Sequence, residues 1–259
     1  MAAGPFPGWY SHFSSSEQPI MYVHYIYVDR QDKFSPVIPD QVLALQDLYS
    51  DPPDGINLDF QFWSYSRLYE EISGFDQELG RLFSIIDPDF GACMADIGRI
   101  FCLYKYGGIY HDARLYIDSP VFIARIANIL SNHGKVLEKH PQKNIAHGCR
   151  NTNIAGLAGE HYFKRVLLRM RSNLLSEESK ILSSPDYRPN MWTTTTMAFL
   201  SQLLDDQGLD PNAYNVDLIP GHDAYVVRWS LSSRPKFYND GMSNHWSTLQ
   251  MQKPFLMHA

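Results

Sequence analysis

The side chains best suited to chemistry fall in one stretch, residues 96–114, DIGRIFCLYKYGGIYHDAR. Asp96 and Arg99 are three positions apart, so a helix would put them on one face. Sixteen positions beyond Asp96 stands Asp112, preceded by His111 and followed two residues later by Arg114. A strand end that carries an acid and a base is where ligands bind in open α/β sheets. Each feature also has a plainer reading. An Asp and an Arg three apart on a helix are most often a surface ion pair of small worth. A glycine pair after a helix is most often a simple cap. His111, His245 and Glu160 are candidate general bases with nothing in the sequence to rank them.

The elements that must position these groups follow from periodicity. Ile97, Ile100, Phe101 and Tyr104 recur at three- and four-residue steps and predict a helix. Asp87, Asp89 and Gly91 supply capping chemistry at its start, and Gly107 with Gly108 supplies the stop. Ile109 and Tyr110 then read as a short buried strand. Upstream, residues 20–28 are almost all apolar and β-prone, as a central parallel strand should be. Residues 39–48 read as a short amphipathic helix, 58–63 as a second strand, and 65–72 and 77–86 as helical. Downstream, 122–130 reads as helix, 144–155 as strand and loop, and a helix opens at Gly159-Glu160-His161. Met191 and the four threonines 193–196 open another helix, running through Phe199, Leu200 and Leu203; the threonines cap it or present donors to an acceptor hydroxyl. Residues 216–220 and 225–229 read as short strands. His24 is either a core histidine bonded to backbone or a site residue. The Asp87-Pro88-Asp89 triplet precedes a helix and reads as a cap.

Taken together, the 96–114 residues resemble the sugar-nucleotide signature of the DXD-type glycosyltransferases. That group includes the fungal α-1,6-mannosyltransferases, bacterial capsule enzymes and the catalytic domain of the large glucosylating toxins. Its pattern is an acid, two residues, an arginine, a helix, then Tyr-Gly-Gly-Ile-Tyr and Asp-x-Asp. Here it is met by Asp96, Arg99, Tyr106-Gly107-Gly108-Ile109-Tyr110 and Asp112, with Arg114 in place of the second Asp. The resemblance runs from about residue 20 to about residue 250, strong at 92–114 and thin elsewhere. It implies an α/β fold: a GT-A (Rossmann-like) nucleotide-sugar domain with a mostly parallel central sheet and added helices, spanning 20–259 after a loose arm at 1–19.

What the resemblance implies for function is a hexosyltransferase that moves a hexose from a UDP- or GDP-sugar to a glycan or protein acceptor, mostly with retention. Asp112 would grip ribose or sugar hydroxyls, and Asp96 and Arg99 would orient the transferred sugar. Tyr27 stands where the family stacks a tryptophan on the base, and a phenol ring can also stack. Tyr110 and Asn153 are further substrate contacts by the same reading, although a loop asparagine as readily caps its own turn. His245, Trp246 and Ser247 correspond to a stretch that closes over the donor diphosphate. The family holds a Mn or Mg ion through its second Asp, leaving Asp112 as the matching metal ligand here. Arg114 has only donors and cannot bind a metal. It either neutralises the diphosphate itself, with no cation required, or pairs with Asp112 or Asp118, or disables transfer and leaves a non-catalytic sugar-nucleotide-binding module.

Composition sets the outer bounds. At 259 residues, 44% hydrophobic and 19% charged, the chain is globular with ample core. A net charge of −6 without a basic block argues against a nucleic-acid partner. Cys93, Cys102 and Cys149 lack zinc spacing, and the first two are too far apart on one helix to bridge, so buried reduced thiols are expected. No run approaches the length of a membrane span, and the N-terminal residues lack a signal-peptide pattern. The expectation is a cytoplasmic protein, or one exported without a cleaved signal.

Overall fold

A computed structural model describes residues 20–26, 28, 43, 56–112, 121–139, 148–184, 186–227, 246–253 and 255–257. The apolar run at residue 20 forms β1 (Ile20–Ile26), and the second expected strand is β2 (Asn57–Trp63). Two helices follow, α1 (Tyr65–Phe75) and α2 (Gln77–Ser84), each started by a side-chain cap, Ser64 and Asp76. The helix of the signature stretch is α3 (Gly91–Tyr106), and β3 (Gly108–His111) comes directly after it. Then come α4 (Val121–His133), β4 (Lys135–Lys139), β5 (Cys149–Gly156), α5 (His161–Ser183), α6 (Ala198–Asp205), β6 (Val226–Val227) and the short α7 (Trp246–Leu249).

The six strands form one sheet in the order β2-β1-β3-β5-β4-β6. β1 is parallel to β2 and to β3, and β4 is parallel to β6. Only β5 is reversed, pairing antiparallel with both β3 and β4. The fold is therefore α/β with a mostly parallel sheet, as the sequence implies. One face is covered by α1, α2, α3, α5 and α6, with Leu68, Phe83, Phe101, Phe163 and Phe199 in the larger core. The other packs Ile123, Ile126 and Leu130 of α4 against Val23, Ile109 and Ala155. No described helix is long and apolar enough to cross a membrane.

The join between α3 and β3 depends on its glycines. Gly107 and Gly108 have φ of +69° and +97°, a region costly to any residue with a Cβ. A Cβ on Gly108 would also lie 2.2 Å from the Tyr22 carbonyl oxygen of β1. The pair is thus both a helix stop and the contact that lets β3 lie against β1. His24 braces the same join. Trp63 Nε1–H donates to His24 Nδ1 at 3.1 Å, so the ring proton sits on Nε2, which is 2.7 Å from the Gly107 carbonyl. Burial lowers the His24 pKa to about 4. The core-histidine reading of His24 is the one observed.

Several local expectations are corrected. Asp87 caps the 3-10 turn Pro88–Phe90 through the Asp89 amide, whereas α3 itself follows Phe90 without a side-chain cap. Lys253 bridges Asp87 and Asp89 at 2.6 and 2.5 Å and ties the C-terminal segment there. Residues 216–220 hold a 3-10 turn, Val216–Leu218, capped by Asn215, because a side chain that bonds the Asp217 amide closes a turn instead of a strand. The threonine run winds as a π-helical turn, Trp192–Thr196, before α6. β4 was not legible as a strand, since KVLEK has only two apolar residues. The arm 1–19, and all of the predicted 39–48 helix except Leu43, lie outside the described residues.

Candidate active site

Asp96 sits in the middle of α3 and is 3% exposed; Arg99, one turn on, is 5% exposed. The pair is therefore internal, not a surface ion pair, with guanidinium and carboxylate 3.1 Å apart. Among the described residues, three more donors of the protein reach the carboxylate. Asn151 Nδ2 donates to Oδ1 at 2.7 Å, and the Thr195 and Thr196 hydroxyls reach Oδ2 at 3.0 and 2.7 Å. Burial pushes the Asp96 carboxyl up, and Arg99 with these three donors opposes the rise. Arg99 also donates through Nε to the Ala95 carbonyl and through Nη1 to the Asn151 carbonyl, and lies over the Tyr110 ring, 4.5 Å from its centre.

Asp112 directly follows β3, at the carboxyl end of a central strand, and is 8% exposed. Its amide donates to the Thr152 carbonyl at 2.9 Å. Next to it His111 pairs in register with Asn153, and Asn153 in turn bonds Glu138 of β4. All these links converge on residues 151–153. The β4–β5 ladder explains why: Leu137 pairs with Ile154 but the next residue, Glu138, pairs with Arg150. Residues 151–153 are thus extra on β5, a bulge opposite a single step of β4. A bulge breaks strict alternation and re-aims side chains. It turns Asn151 toward Asp96 while Thr152 and Asn153 both meet Glu138.

The structure links Asp96 to Arg99 and Arg99 to the Tyr110 ring, and ties the Asp112 backbone to the same bulge through the Thr152 carbonyl. Asn153 is fully buried against His111 and Glu138; its neighbour Asn151 reaches Asp96 instead. Arg114, Tyr27 and His245 lie outside the described residues. Trp246 and Ser247 open α7, and their side chains are likewise outside. Asn151 and Glu138 are not singled out by the sequence as site residues, and the Thr195 and Thr196 hydroxyls donate to Asp96. The run of four threonines was a signal, since its hydroxyls must bond something. The two asparagines two apart on β5 were another.

The chemistry of the donor set can be tested against a divalent ion. Such an ion asks for several oxygen ligands, and the Asp-x-Asp position supplies one carboxylate and one guanidinium. Among the described residues no group of three or more His, Cys, Asp or Glu could hold a metal.

No protein-family model and no curated protein matches the chain. Among solved structures it is similar to the PaToxG glycosyltransferase, with 15% identity over 92% of this chain and 88% of that one, at a TM-score of 0.44. It is also similar to the UDP-bound glycosyltransferase domain from the YGT toxin, with 12% identity over 67% of this chain and 44% of that one, TM-score 0.35. The ligand-free form of that domain gives 14%, 66%, 45% and 0.33. The chain spans less than half the length of the YGT structures. Likenesses this distant decide nothing about its chemistry.

Proposed function

We propose that the chain is a glycosyltransferase that moves a hexose from a UDP- or GDP-sugar to a glycan or protein acceptor, with retention. The observation that carries this is the bulge at residues 151–153. Its Asn151 donates to Asp96 and its Thr152 carbonyl accepts from the Asp112 amide, so adjacent residues of one bulge tie the two halves of the signature. The barrier to such a transfer is charge separation: the sugar becomes cation-like as the nucleoside diphosphate leaves with growing negative charge. Catalysis then requires fixed cations at the phosphates and an oriented sugar. In this reading Asp112 accepts from donor hydroxyls, and Arg114 neutralises the leaving diphosphate with its bidentate fork. Asp96 and Arg99 hold the floor of the site. Tyr27 stacks the base, and His245, Trp246 and Ser247 close over the donor.

The test is release of UDP or GDP from a panel of nucleotide sugars, with binding measured by calorimetry. Asp112→Ala abolishes release, and EDTA leaves it intact. Loss of all activity on chelation would refute Arg114 as the cation. No binding of any donor at millimolar level would sink the sugar-nucleotide reading. A second reading, a non-catalytic sugar-nucleotide binder, draws on Arg114 and on the fact that both Asp96 oxygens already accept from the protein itself. Donor binding without any turnover selects it.

A further inference from the structure

A second polar chain crosses the sheet apart from the Asp96 cluster. His111 on β3, Asn153 on β5 and Glu138 on β4 are 1%, 0% and 2% exposed. Tyr25 meets the His111 ring edge-on at 5.8 Å, and Glu138 has Arg150 as its register partner on β5, whose charge acts on it. Burying three polar groups there is costly unless each is satisfied, and the bonds they make have a direction. Asn153 Nδ2 donates to Glu138 Oε2 at 3.0 Å, so the amide oxygen is the end that faces His111 Nδ1. An amide oxygen only accepts, so Nδ1 must carry a proton. In the neutral ring the basic nitrogen is then Nε2. The same Glu138 oxygen accepts the Thr152 hydroxyl. The Thr152 carbonyl, in turn, accepts the Asp112 amide at 2.9 Å.

We infer that Glu138 is a positioning residue for the end of β3: through Asn153 it sets the tautomer of His111, and through Thr152 it holds the backbone of Asp112. One carboxylate on β4 thereby fixes two neighbouring groups at the end of β3, with the whole of β5 in between. Burial raises the Glu138 carboxyl, and the two bonds to Thr152 and Asn153 oppose the rise. The value of this arrangement for catalysis rests on the proposed sugar transfer; the arrangement itself does not.

The test uses the full chain with ring-labelled histidine, above the pH at which His111 is charged. Nitrogen NMR of the wild type shows His111 in the Nδ1–H form. Glu138→Met, which keeps the side chain's length but has no acceptor oxygen, releases Asn153 and gives a mixture of tautomers. It also speeds hydrogen exchange of the Asp112 amide by about tenfold, the worth of one hydrogen bond. An Nε2–H wild type, or an unchanged tautomer and exchange rate in Glu138→Met, overturns the inference. Should Glu138→Met fail to fold, Asn153→Ala cuts the same link, and a retained Nδ1–H form there overturns it too. None of these readouts needs a donor sugar. A wild type that turns over no nucleotide sugar would defeat the transferase reading while leaving the tautomer result standing.

Discussion

Removing the Asp96 carboxylate has a cost that can be worked from its partners. In Asp96→Ala, Arg99 keeps the Ala95 and Asn151 carbonyls but loses its counter-ion. An uncompensated buried charge costs about 3–5 kcal/mol. Asn151 Nδ2 loses its acceptor, which adds about 1–3 kcal/mol. Thr195 has the Met191 carbonyl at 3.3 Å as a fallback and adds little. The result is of the order of the whole stability of a domain, about 5–15 kcal/mol, so the alanine variant should fold poorly. Asp96→Asn is the usable probe. Its amide oxygen can still face Arg99 and Asn151, and its amide nitrogen can donate to hydroxyls that rotate. The charge is lost, but the shape and most bonds remain, so about 3 kcal/mol is expected. Pairing it with Arg99→Met removes both charges, and the double variant should recover about 2–3 kcal/mol relative to the sum of the singles. Urea unfolding followed by tryptophan fluorescence, in a double-mutant cycle, measures all three. A cost below about 1 kcal/mol for Asp96→Asn with no coupling is the signature of an exposed pair, and would refute the internal network on which the site is built.

Two more outcomes follow from the join between α3 and β3. His24 titrates near 4 in the folded protein against 6.5 when unfolded, so the unfolded chain binds more protons between those values; stability is full above about 6.5 and falls by about 3 kcal/mol as pH drops to about 4. His24→Gln should lose most of that acid slope, and an unchanged slope in urea midpoints against pH would show that His24 is not the group responsible. Gly108→Ala and Gly159→Ala both put a Cβ at positive φ, but only Gly108 meets the β1 backbone, whereas nothing lies within 4 Å at Gly159. The Gly159 variant should cost about 1–2 kcal/mol and the Gly108 variant clearly more; equal costs would mean that β3 does not lie against Tyr22 as described.

Much of the frame was legible because it rests on local chemistry. The α3 helix, its glycine stop and the strand after it are fixed by apolar spacing and by the conformational demand of Gly107 and Gly108. The β1 and β2 strands follow from β-branched and aromatic runs, and the long α5 from helical spacing at Phe163, Val166, Leu167 and Met170. β4 was missed because its strand character comes from neighbours on both sides, not from KVLEK itself. The turn at Val216–Leu218 was misread because one side-chain bond from Asn215 outweighs a weak β-preference.

The sequence by itself determined which residues are available: a carboxylate and a guanidinium one helical turn apart, and another carboxylate just beyond a short strand. Tertiary structure decided what they face. Whether Asp96 is solvated or saturated depends on a π-helical turn 100 positions away in the chain and on a bulge in β5. A bulge arises from the register between two strands, and register is a property of the pair, so neither strand's residues can announce it. For the same reason nothing in residues 135–139 marks Glu138 until β5 lies beside it. Helix spacing and glycine torsions act over a few residues and can be read in order; the direction of a buried hydrogen bond exists only once the chain has closed around it.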